Sequence, residues 1–140
     1  MAIAASGTVS AADIRTEYGL SGTVSFADLY RGGSYIRAKA GNNNATNLAA
    51  SVPTSGTLTF DNFRGTAKGF KYTFTSGATN QNASTLFGDD YDLNYPKEIV
   101  INAGVELGAT STSEEALEIP SGSAGTITIT NNGTLSGAGG

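Results

Sequence analysis

The chain has 140 residues and a net charge of −4; Gly (19), Ser (14), Thr (18) and Asn (11) fill 62 positions, while charged residues make up only 14%. It contains neither Cys nor His, which excludes disulfides, thiolate chemistry, Ser-His and Cys-His nucleophile systems and the commonest metal ligand. A hydrophobic content of 39% in β-branched and aromatic runs is too high for a solvated tail, no run approaches the ~18 apolar residues of a membrane span, and the apolar start at Met1–Ala5 is too short for a secretory segment.

A nine-residue phrase opens the chain and recurs: SGTVSAADI at Ser6–Ile14, SGTVSFADL at Ser21–Leu29 and SGTLTFDNF at Ser55–Phe63. The Ser-Gly-Thr-Val part is small and β-favouring, which predicts an extended run. Ser10, Ser25 and Thr59 follow as N-cap candidates, each with Asp or Asn three residues on, a spacing close to a capping box. The apolar residues after each cap give a helical turn one sticky face, and Gly19, Gly32 and Gly65 are placed to stop it. The spacings between phrases, 15 and then 34 residues, are unequal, which argues against a regular solenoid of phrases. Between the second and third lies GNNNATN at Gly41–Asn47, a polar loop without periodicity.

Near Lys68–Phe70 the character of the chain changes. Residues 1–71 hold seven Lys/Arg against four acids, a net of +3; residues 72–140 hold Lys97 alone against eight acids, a net of −7. A domain boundary is therefore placed between 1–69 and 70–140. The second half opens with alternating Phe70, Tyr72 and Phe74, a half-buried strand. KEIVINAGVELG at Lys97–Gly108 reads as two short strands about a turn or bulge at Asn102-Ala103-Gly104, and ITITNNGTL at Ile127–Leu135 echoes it. Units of this kind build hairpins, stacked β-rungs or interleaved trimeric β-structures. The fold class expected is mainly β, with short strands and a few capped helical turns, in two small β-rich parts completed by oligomerisation.

Candidate chemistry is sparse. Asp90-x-Asp92-x-Asn94 matches the first half of a calcium loop, but the sixth position is Tyr95 instead of Gly and the twelfth is Ile101 instead of Glu. A solvated acidic turn is the simpler reading, with calcium a weak alternative. The pairs Asp89/Asp92 and Glu114/Glu115 have no Trp sugar platform beside them, so no catalytic group and no cofactor are assigned. Basic residues are dispersed and the pI is about 4.6, which disfavours nucleic acid. Phe26, Leu29, Tyr30, Phe60 and Phe63, recurring inside the phrases, are read as packing or interface positions.

The stretches SGTVSFADLYRGGSY and VPTSGTLTFDNFRGT resemble modules in the N-terminal regions of tail-fibre and baseplate proteins of tailed bacteriophages, especially those of cyanobacteria and other marine bacteria. KEIVINAGVELGATSTSEEALEIPSGSAGTITITNNGTLSGAGG is similar to the region preceding the glycine-rich tip of phage tail-fibre adhesins. The resemblance implies a non-enzymatic virion protein at the tail or baseplate, a fibre, fibre adaptor or tip component engaged in host attachment. It further implies a homotrimer that contacts other tail proteins and a host surface glycan. A capsid decoration protein is the alternative in the same setting, and a carbohydrate-binding or depolymerase module the alternative outside it.

Overall fold

The computed structural model describes residues 2–139, and the chain forms two units: Met1–Lys39 with Asn47–Gly69, and Ala40–Thr46 with Phe70–Gly140. The segment Ala40–Thr46 thus belongs with the second half, from which the sequence separates it by more than twenty residues.

In the first unit, helix α1 (Ala11–Tyr18) follows from the first phrase. Ser10 accepts from the Asp13 N–H at 3.2 Å, and Asp13 reaches back to the Ser10 N–H at 2.7 Å, so orphan donors at both ends of the box are satisfied. Gly19 ends the helix in the left-handed conformation at φ 66. The other two phrases form single 3-10 turns, Phe26–Leu29 and Phe60–Phe63. Their caps are closed by Asp28 on the Ser25 N–H at 3.1 Å and by Asn62 on the Thr59 N–H at 2.8 Å. Ile14, Leu29 and Phe63, the last residue of each phrase, are sealed in one apolar cluster with Ile3, Val9, Tyr18, Ile36, Ala49 and Val52.

This unit corrects the expectation of two β-rich parts. Apart from the two-residue strand Thr46–Asn47 (β1), where the chain passes between the units, its described residues hold only an isolated bridge between Arg31 and Ile36. The Ser-Gly-Thr runs do not extend into strands, because Gly7, Gly22 and Gly56 take φ values of 85, 64 and 85. That conformation reverses the chain where a strand would continue.

The second unit is the β-rich one. Strands β2 (Phe70–Phe74), β3 (Ala78–Thr79) and β4 (Gln81–Asn82) make one turn of a coil. After helix α2 (Ala83–Phe87), strands β5 (Lys97–Ile101), β6 (Glu106–Gly108) and β7 (Leu117–Glu118) make the next. Strands β8 (Ile127–Asn131) and β9 (Thr134–Ser136) begin a third. Within the coil, strands adjacent in sequence do not pair with each other. The sheets run β1-β2-β5-β8, β3-β6-β9 and β4-β7, and the pairs among the three turns are parallel. Of the three architectures open to the sequence, this is the stacked-rung one.

At four inward positions the register places apolar residues side by side. Tyr72 stacks beside Ile99 and Ile99 beside Ile129; Phe74 lies beside Ile101, and Leu107 beside Leu135. Phe70, Phe74, Ile99, Ile101 and Leu107 are buried with Phe87, Leu86, Tyr91 and Tyr95, each large apolar side chain contributing about 1.5–3 kcal/mol when fully buried. The echoing stretches IVINAGVEL and ITITNNGTL thus lie in successive turns, but β8 is displaced two residues from the echo, with Ile99 beside Ile129 instead of Ile127, while Leu107 keeps Leu135. The corner after β8 is tighter than the one after β5, and Gly133 makes it possible: a Cβ there would stand 2.2 Å from the Val105 carbonyl oxygen and 2.7 Å from that of Asn102.

Gly133→Ala is expected to cost about 1–3 kcal/mol through this overlap, whereas Gly137→Ala, with nothing within 4 Å of the added carbon, stays within about 0.5 kcal/mol. Denaturant unfolding of the two variants checks this; equal midpoints would contradict the corner contact.

Candidate functional site

The three phrases of the first unit close on one another. The tenth residue counted from each phrase's Ser is Arg15, Tyr30 or Arg64, and the second is Gly7, Gly22 or Gly56. The Arg15 guanidinium donates to the Gly22 carbonyl at 3.1 Å. The Tyr30 hydroxyl donates to the Gly56 carbonyl, and the Arg64 guanidinium to the Gly7 carbonyl. Each phrase therefore grips the next, the third grips the first, and equivalent positions are used at every link. The left-handed glycine exposes its carbonyl by turning the chain away from any strand partner.

The same cycle brings the sixth residues together. Ala11, Phe26 and Phe60, each directly after its cap, line a single groove with Leu29, Ile14 and the Arg15 side chain. Its volume is about 160 Å³, comparable to an apolar cavity of about 150 Å³ that accepts benzene. Phe26 is 60% exposed and Phe60 42%, high values for rings of this size. The groove is asymmetric because the first phrase carries Ala where the other two carry Phe. Its only ionisable lining residue is Arg15, and the chemistry it offers is apolar contact.

Of the five positions read as packing or interface, Phe26, Leu29 and Phe60 meet at this groove. Tyr30 is half-buried, its hydroxyl engaged in the cycle. Phe63 is not a surface residue: it is fully buried and packs edge-on against Tyr18 at 6.2 Å between ring centres, because the ninth position of the phrase faces the core. Reading the phrases one at a time does not single out Ala11 or the tenth-position donors. Aligning the three column by column contains the signal for both.

Asp90, Asp92 and Asn94 do not converge as a calcium loop. Asp90 is fully buried and accepts from the Ala40 N–H at 2.6 Å and the Asn43 amide at 3.0 Å, while Asp92 and Asn94 are exposed. Among the described residues no three acidic side chains gather as a metal site. The carboxylate of Asp90 is instead used to fasten the segment Ala40–Thr46 over the first turn of the coil. Asn44 adds bonds to the Leu86 and Thr85 carbonyls, and the Asn42 side chain accepts from the Asp89 N–H. The polar stretch Gly41–Thr46 is therefore a lid on one end of the coil.

Lys97 is the other buried charge among the described residues. Its ammonium donates to the carbonyls of Leu93 at 2.8 Å, Tyr95 at 3.0 Å and Ala124 at 2.9 Å, which uses all three of its protons. Burial lowers its pKa, against the raising influence of Asp90 and Asp92. It ties the corners of successive turns and has no proton left to offer a ligand.

No family model, curated protein or solved structure matches the chain.

The caps carry a pH signature. Hydrogen bonds from the Ser10 side chain and backbone hold the Asp13 pKa below its ordinary value, and those from the Ser25 side chain, its backbone and Ser34 do the same for Asp28. Carboxylates with depressed folded pKa values stabilise the fold above the ordinary carboxylate value and lose that contribution as pH falls through the folded values. The third phrase uses Asn62, which does not titrate. Asp13→Asn with Asp28→Asn is therefore expected to flatten the fall in thermal midpoint between about pH 5 and about pH 2. An unchanged slope in the double variant would show that these caps do not contribute to it.

Proposed function

We propose that this chain is a non-enzymatic structural protein of a tailed-phage tail, a fibre, fibre-adaptor or baseplate-tip component. The first unit docks on a neighbouring virion protein and the acidic coil projects toward the host. The observation that carries this reading is the convergence of three repeated phrases on one open apolar groove flanked by Phe26 and Phe60. Repeating a phrase to build a surface serves attachment, and buried aromatic anchors dominate the energy of protein interfaces. The partner offers an aromatic or large aliphatic side chain, which sits over Ala11 and completes the set that Phe26 and Phe60 begin. The surrounding unit is mildly basic, with six Lys/Arg against four acids, and suits an acidic segment around that anchor.

The groove and the location are tested together. Ala11→Phe supplies from within the chain the ring the partner would bring. It is expected to raise folding stability by about 1–2 kcal/mol and to abolish incorporation of tagged protein into assembling particles. Electron microscopy of particles carrying tagged wild-type protein is expected to find the tag at the tail or baseplate. Tag over the capsid lattice would favour a decoration protein instead, and undiminished incorporation of the Ala11→Phe variant would remove the groove from the contact.

A further inference from the structure

The two ends of the coil differ. The first turn is covered by Ala40–Thr46, with Ala45 in the core cluster. Among the described residues nothing covers the last turn. Strands β8 and β9 are the outer strands of their sheets, and their inward residues Ile129 and Leu135 remain 43% and 45% exposed. An outer strand presents unpaired backbone N–H and C=O groups, and proteins ordinarily blunt such edges with charges, proline or a covering segment. Here β8 and β9, ITITN and TLS, contain none of these. Stacked repeats with an uncovered terminal unit expose core to water.

We infer that the open turn is a self-association face, which pairs β8 of one copy with β8 of a second across a two-fold axis at Ile129. Two properties select a second copy as the occupant. The first is charge. From Ile119 to Gly139 the chain has no ionisable side chain, whereas Phe70–Glu118 carries two lysines and eight acids, a net of −6. Two copies repel wherever those acids face each other, and the neutral last turn is where they approach at least cost.

The second property is pattern. Antiparallel pairing about Ile129 sets Ile129 against its own counterpart, Thr128 against Thr130 and Ile127 against Asn131. Ile129 then meets its own counterpart over the open core, flanked on each side by an Ile127–Asn131 pair, and threonines meet on the outer face, a favourable cross-strand pair. An isologous contact of this kind closes on itself instead of propagating. Glu114 and Glu115 border the hollow beside Leu135, so the contact strengthens as salt screens them. The inference rests on the coil alone; the groove of the first unit is untouched by it, and neither reading falls with the other.

Light scattering on the 140-residue chain is expected to give twice its 14.2 kDa mass at sub-millimolar concentration, with the dimer favoured by added salt. Ile129→Lys places like charges on the axis and is expected to give monomers with an unchanged circular dichroism spectrum. Because the chain has no cysteine, Ile129→Cys provides a second test that keeps the strand intact. Directly opposed residues on antiparallel strands lie about 4.5–5.5 Å apart, within disulfide reach. The variant is expected to cross-link between copies under oxidised glutathione, whereas Thr112→Cys, in an exposed loop, does not. A monomeric wild-type chain, a dimer that persists in a folded Ile129→Lys variant, equal cross-linking at both cysteines, or a dimer weakened by salt would each overturn the inference.

Discussion

Among the described residues no strand exceeds five residues, and two of the three phrases form turns of four. Segments so short do not hold their shape alone in water. The constraint that shapes the molecule is therefore that each element must be held by another of its own kind. The first unit meets it with a closed cycle, in which the residue directly after each phrase donates to the glycine carbonyl of the next. The second unit meets it by stacking, each strand paired in parallel with its equivalent one turn later.

The two solutions have different consequences. A cycle leaves no link unused, so what the first unit offers outward is the residue that each phrase places beside its cap, and it offers it once, at a shared groove. A stack always has ends. The asparagine-rich segment closes one of them through Asn42, Asn43, Asn44 and Asp90. The other end presents Ile129 and Leu135. The buried charges also hold short segments together. Lys97 and Asp90 satisfy backbone groups at the corners and the lid, where an unpaired carbonyl or amide would cost about 1–3 kcal/mol.

Much of this was legible in the sequence, and the misses have physical causes. The caps at Ser10, Ser25 and Thr59 follow from local chemistry and form as expected. The alternation of Phe70, Tyr72 and Phe74 identifies a strand, but period two is shared by hairpins and stacked rungs, so the choice of partner rests on tertiary packing. The Ser-Gly-Thr runs look β-favouring by propensity, yet a left-handed glycine at the second position of each turns them; Gly tolerates that conformation without announcing it. The lid was hidden because GNNNATN has no periodicity, and its role comes from hydrogen bonds to residues more than forty positions away. Of the groove, Phe26 and Phe60 were visible as repeated aromatics. Ala11 was not, because a small residue attracts notice only when set beside its larger equivalents.

The closed cycle is tested most directly by native-state hydrogen exchange on Tyr30→Phe, which removes one hydroxyl and no ring. If the three phrases hold one another, protection is lost together at the amides of Asp13, Asp28 and Asn62, which mark the three caps, although only the link from the second phrase to the third has been cut. Loss confined to Asp28 and Asn62, with Asp13 unchanged, would contradict the cycle and leave three independently capped turns.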